Sequence, residues 1–293
     1  MKFKTSLALT YFATISTLLA SPLAQSSVVY NVAFDDPFGE FASYYDRIET
    51  HVKAAGSLWE QYFTGNANLE VTIGFHDIPR ADGRSTTTSY LSNNGSYSVW
   101  QAGAASEINT GIDPNGATSD IEINFSNSTD YLTNELWFDP NPFDNIADVP
   151  SNKTDALSVF EHELGHALGF NGWIDSITGV LPGDYESSFD QYVIEHDGGF
   201  FFAGANARAV YGGDVPLTSG NIMHIGNSDP LAGADLIPDL MNGVVFMRGT
   251  RYSISALDVA ILQDTGLSPV PAPPALWLFI FGLAAIGLKI RKV

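Results

Sequence analysis

The chain contains no cysteine. That excludes disulfides and every thiolate metal site, so any metal must be held by His, Asp or Glu. Positive charge is scarce too: 13 Lys and Arg stand against 33 Asp and Glu. Lys2, Lys4, Lys289, Arg291 and Lys292 sit at the two ends while every acidic residue lies between them, leaving the part between with a net charge near −25. Such a surface repels nucleic acid and anionic membranes and argues against both as partners. Disorder is also disfavoured, because aromatic residues make up 12% of the chain and Val, Ile and Leu are plentiful.

Long apolar runs occur only at the ends. Residues 7–20 carry no charge, follow Lys2 and Lys4, and lead to Ala24-Gln25-Ser26. This reads as a secretory signal over residues 1–26, cut before Ser27, and the run is too short for a mature membrane span. At the other end a stiff stretch, Ser268-Pro269-Val270-Pro271-Ala272-Pro273-Pro274, precedes apolar residues 275–288 and the basic cluster Lys289, Arg291, Lys292. A proline motif, a short apolar helix and a basic tail over residues 269–293 resemble the PEP-CTERM sorting signals of Gram-negative bacteria, in a Val-Pro-x-Pro variant. The resemblance implies an exosortase-type processing enzyme as partner. It also implies export across the inner membrane to the cell surface or beyond, with the C-terminus as a transient anchor and only membrane contact.

Between the ends, periodicity predicts an α+β domain over residues 27–268. Residues 44–62 read as an amphipathic helix with Ile48, Val52, Ala55, Leu58, Trp59 and Tyr62 on one face. Residues 69–75 alternate and predict a strand, as do Ile121, Ile123 and Phe125. Residues 83–100, rich in Ser, Thr, Asn and Gly, predict loops or short edge strands. A helix is expected from Thr154 or Asp155 to Gly169, with Leu157, Phe160, Leu164 and Leu168 facing a core. A closing helix starts at Ser255, where Asp258 completes a capping-box pair, and stops at Gly266.

The helix near residue 160 carries the chemistry: His162-Glu163-Leu164-Gly165-His166-Ala167-Leu168-Gly169. Histidines four apart share a helix face, so both imidazoles can reach one metal ion. Glu163 beside the first can act on a water as general base. A catalytic zinc site needs a third protein ligand. Three residues past Gly169 stands Gly172, which has no side chain. His224, Asp175 and His196 are the candidates for that ligand; His51 and His76 read as surface or core residues without metal.

His-Glu-x-x-His-x-x-Gly-Phe, an insertion, His224 and then Leu240-Met241 resemble leishmanolysin-type metzincins. In that group an inserted segment, here about residues 171–223, separates the glycine turn from the third histidine. The resemblance implies a metzincin-like zincin fold with a mixed sheet, an active-site helix and a closing C-terminal helix. It makes His162, His166 and His224 the ligands of Zn2+, Glu163 the catalytic base, and Met241 (with Met223 and Met247 as rivals) the methionine of the turn beneath the metal. The implied activity is secreted or surface-sorted endopeptidase action on a peptide or protein substrate lying extended along an edge strand, for which residues 120–126 are the candidate. Two other functions are open to the sequence: a non-catalytic matrix or adhesion protein on the same scaffold, and a metal-dependent hydrolase of other bonds. The acidic loops at Asp113-Pro114-Asn115-Gly116 and at residues 139–148 offer oxygen ligands for structural Ca2+, without completing a known calcium-loop pattern.

Overall fold

Alternating apolar residues shape the first half of the chain into a mixed sheet. The structure, a computed structural model, describes residues 27–227 and 233–270. The expected signal segment and all but the first two residues of the expected sorting segment lie outside them. Six strands come first: β1 (Ser27–Asp35), β2 (Asn66–His76), β3 (Ala81–Ser85), β4 (Thr88–Asn93), β5 (Ser98–Ala102) and β6 (Ile121–Ser126). The main sheet runs β1-β2-β6-β3, parallel except for β3, which pairs antiparallel with β6. Leu69, Val71 and Ile73 of β2 and Ile121, Ile123 and Phe125 of β6 are buried, as their alternation predicts.

Residues 120–126 are therefore not the edge, and the expectation is corrected here. β6 sits between β2 and β3, and β3 closes that side of the sheet. Its sequence, Ala-Asp-Gly-Arg-Ser, has the charged and glycine character of a protected edge, which hides it from a reading based on apolar alternation.

Helices cover the sheet. α1 (Tyr45–Trp59) buries Ile48, Val52, Ala55 and Trp59 and ends earlier than its periodicity suggests, leaving Tyr62 exposed. α2 (Gly103–Thr110) connects β5 toward β6, and α3 (Ala156–Leu168) is the motif helix. Every residue of α3 is buried. Trp59 donates from Nε1 to the Glu161 carbonyl at 2.8 Å, and the Phe160 ring packs tilted against Phe125 at 5.1 Å between ring centres. Leu157, Phe160, Leu164 and Leu168 all belong to the core.

The expected insertion has its own small architecture. Leu136–Trp137 (β7) pairs with Thr154–Asp155 (β8) just before α3. After α3, Tyr185–Ser187 (β9) extends the β4–β5 hairpin. Val193–His196 (β10), Gly199–Phe202 (β11) and Val215–Pro216 (β12) form a separate three-stranded sheet. α4 (Ala205–Tyr211) is held by α5 (Ala256–Asp264), whose Asp264 carboxylate accepts from the backbone amides of Asn206 and Ala207 at 3.0 and 2.9 Å. This places a negative charge at the positive end of α4. At the start of α5 the capping box between Ser255 and Asp258 forms in full. The whole is α+β, and among the described residues no helix is long and apolar enough to cross a membrane.

A buried ion cluster ties down the start of α3. Asp155 caps the helix by accepting from the Ser158 amide and hydroxyl at 3.2 and 2.8 Å. Arg251 reaches Asp155 at 3.0 Å and Asp139 at 2.7 Å, and both carboxylate side chains are fully buried. Removing one partner from such a cluster leaves uncompensated buried charge and costs ~3–5 kcal/mol. Arg251→Ala should therefore lower unfolding free energy in guanidinium titration by about that much; a loss below ~1 kcal/mol would mean that the two carboxylates find other partners.

Candidate metal centre

Three imidazoles from two distant parts of the chain meet at one point. His162 and His166 lie one helical turn apart on α3, as their spacing requires. His224 arrives from the loop after β12. The three Nε2 atoms are mutually 3.0–3.1 Å apart. Asp175 and His196 are not brought there. The exposed Asp175 closes its own turn, accepting from the amides of Ile177 and Thr178 at 3.0 and 2.7 Å. His196 stacks on Phe201 and contacts the carboxylates of Asp197 and Asp214 at 3.1 and 3.2 Å. His51 is a core residue that accepts from the Asp139 amide at 3.0 Å, and His76 is exposed at the end of β2.

Backbone carbonyls orient two of the rings. His162 Nδ1 lies 2.8 Å from the Leu240 carbonyl, and His166 Nδ1 lies 2.7 Å from that of Phe170. A carbonyl can only accept, so each Nδ1 carries the proton and each Nε2 presents a lone pair. Burial holds all three imidazoles below the usual histidine pKa, His162 at about 3, with its His166 neighbour adding to the effect. The Nε2 lone pairs of His162 and His166 repel one another unless a cation, or a proton from His224, lies between them. Tetrahedral zinc with bonds of about 2.0–2.1 Å would hold nitrogens roughly 3.3–3.4 Å apart, within a few tenths of an ångström of this triad. The donor set therefore fits a metal ion, and the ring-to-carbonyl bonds are the supporting contacts that such sites use.

Glycines make this geometry possible. Gly169 ends α3 at φ +154°, and the Phe170 amide bonds back to the Gly165 carbonyl at 3.1 Å, which turns the Phe170 carbonyl onto His166. Three residues on, a Cβ at Gly172 would strike the Asp190 carboxylate, which accepts from the Trp173 amide at 2.8 Å. The chain after the turn is thus pinned to buried Asp190.

The Leu240-Met241 turn supports both halves of the triad. The Leu240 carbonyl accepts from His162, and the Met241 carbonyl accepts from the Ile225 amide at 3.0 Å, next to His224. The Met241 side chain is fully buried beneath α3, where a Cβ at Gly165 would come within 2.7 Å of its sulfur. Met223 is half-buried and Met247 is 50% exposed, so neither takes this place.

Glu163 lines the same cleft as His162 and His224, a space of about 430 Å³. Its carboxyl is raised to about 8, chiefly by burial and secondarily by the Asp82 charge, and a hydrogen bond from the Gly83 backbone opposes this. β3 packs closely on α3 at Gly83, where a Cβ would run into the Glu163 backbone. The edge strand therefore runs directly beside Glu163. Sequence reasoning misses Tyr131, which sits in an irregular turn at residues 131–135 and lines the cleft with Arg80 and Phe246. Glu163 helps to raise the Tyr131 phenol far above its usual pKa, after burial.

No family model, curated protein or solved structure matches this chain.

Proposed function

We propose that the chain is a zinc-dependent endopeptidase with a metzincin-like active site, exported and sorted through its terminal segments. The observation that carries this reading is the convergence of His162, His166 and His224 at 3.0–3.1 Å in a cleft that also holds Glu163. Three neutral imidazoles leave a divalent zinc its full charge, and the bound ion supplies Lewis acidity, lowering the pKa of water toward neutrality and polarising a carbonyl.

The chain's own residues do the rest. Glu163 takes a proton from the attacking water onto its carboxylate as the new C–O bond forms at the substrate carbonyl. When the C–N bond breaks, the same carboxyl returns that proton to the leaving amine, so the base is regenerated. β3 offers one unpaired edge, along which an extended peptide can add as a further strand through main-chain hydrogen bonds. This favours extended peptides as substrates: Gly83 packs β3 against the Glu163 backbone, so a strand added to that edge would lie near the Glu163 cleft. Val244, Val245 and Phe246 form an apolar wall of the cleft, while Arg80, Glu135 and Arg248 supply charge.

Incubating the purified full chain with a mixture of unstructured peptides should give internal cleavage products by mass spectrometry. A zinc chelator should abolish cleavage, and added Zn2+ should restore it. Intact peptides with a fully zinc-loaded protein would refute the peptidase reading and favour a scaffold role.

A further inference from the structure

A second cluster of metal-type ligands lies away from the histidines. Glu107 in the last turn of α2, Asp113 in the loop that follows and Asp120 at the entry to β6 each offer a carboxylate oxygen within 4.8 Å of the other two. Glu107 and Asp120 are buried, with 3% and 0% of their surface exposed, and Asp113 is open to solvent. Acidic residues at a surface need no explanation, but the arrangement of these oxygens does.

Each buried carboxylate uses one oxygen structurally. Glu107 Oε1 accepts from the Asn68 amide and Asp120 Oδ2 from the Glu70 amide, both at 2.8 Å. The remaining oxygens, Glu107 Oε2 and Asp120 Oδ1, are buried with no N–H or hydroxyl partner, and Asp120 can bond the neighbouring Glu70 carboxyl only if one of the two keeps a proton. Leaving a buried charged oxygen unpaired is strongly unfavourable. No ion pair among the described residues involves Glu70, Glu107, Asp113 or Asp120. The other acidic loop differs, because Asp139 is neutralised by Arg251.

Position compounds the charge problem. Glu107 stands at the C-terminal end of α2, where the helix dipole disfavours an anion. Glu70 adds a fourth carboxylate beside Asp120, which is pushed up to about 7 by burial first and then by Glu70 and Glu107. The loop geometry is nonetheless fixed. Asp113 accepts from the amides of Asn115 and Gly116 at 2.8 and 2.7 Å, and Asn115 donates to the carbonyls of Thr118 and Ser119 at 3.1 and 3.0 Å.

We propose that Glu107, Asp113 and Asp120 form a binding site for a hard divalent cation of the calcium class, which joins α2, the loop after it and the entry to β6. Oxygen-only donors select calcium over zinc, and a partly exposed third ligand gives the ion a way in. The role is structural: the cation neutralises buried charge at the end of the sheet away from the Glu163 cleft. It stands independently of the peptidase reading.

The test is thermal unfolding of the full chain at constant zinc, with CaCl2 varied, together with calorimetric titration of CaCl2 into the full chain. Saturating calcium should raise the midpoint by roughly 5–10 °C, as expected for a ligand near 100 times its Kd in a domain of this size. Asp113→Asn, at an exposed position that leaves folding intact, should weaken calcium binding at least tenfold, and Glu107→Gln should remove it. His224→Ala should keep the calcium response, which separates this site from the histidine centre. No shift in wild type, an equal shift in sodium chloride of matched ionic strength, or an undiminished shift in Asp113→Asn would overturn the proposal.

Discussion

Glu163→Gln is expected to lower peptide hydrolysis by roughly 10²–10⁴-fold while zinc stays bound, the range by which positioned general bases accelerate proton transfer. The substitution conserves shape, and the amide oxygen can still accept from the Gly83 backbone, which contacts the native carboxylate. It also removes a buried carboxyl that faces Asp82, so folding stability should hold or rise. The diagnostic pattern is lost turnover with unchanged metal content and a melting temperature no lower than that of wild type. A destabilised protein would not produce that pattern. If turnover in the variant stays within a few fold of wild type, Glu163 is not the base, and the cleft works by another route.

His224→Ala should reduce zinc affinity by at least about 100-fold, more than the usual cost of losing a supporting contact around a metal. Elemental analysis after dialysis against a competing chelator reads this directly. Asp175→Ala and His196→Ala should retain one zinc per chain, because Asp175 closes its own exposed turn and His196 packs on Phe201. Stoichiometric zinc in His224→Ala would mean that the 3.0 Å approach of its ring to His166 does not represent ligation. Loss of zinc in all three variants would point to a general folding defect instead.

The motif helix is the most legible part of the chain, since helical spacing alone puts His162 and His166 on one face, and capping preference offers Thr154 or Asp155, of which Asp155 takes the cap. Local sequence cannot reveal His224 in the same way. Its selection over Asp175 and His196 depends on a contact across 58 positions, and only the resemblance to a long-insertion pattern pointed there. The sheet edge lies at β3 rather than at residues 120–126 for a physical reason. Edge strands avoid apolar alternation, and β3 is polar with a glycine where it meets α3, so the apolar β6 stood out although it is an interior strand. β1 does alternate through Val28, Tyr30, Val32 and Phe34, but it abuts the expected signal segment. The small sheet β10-β11-β12 is carried by short strands inside the insertion, where few residues repeat often enough to show a period.

The turn at Leu240-Met241 has a bearing on how the protein comes to be assembled. One carbonyl of that turn steers His162 and the next holds the segment of His224, so the helix alone supplies two donors but neither the orientation of His162 nor the third donor. Closing so long a stretch of chain carries an entropic cost that a captured ion helps to offset. An ion held by all three imidazoles could be bound only after residues 224–241 had been made and folded back onto the helix. A chain cut short before residue 224 would carry the His-Glu-x-x-His sequence but lack both the third imidazole and the carbonyl that orients His162.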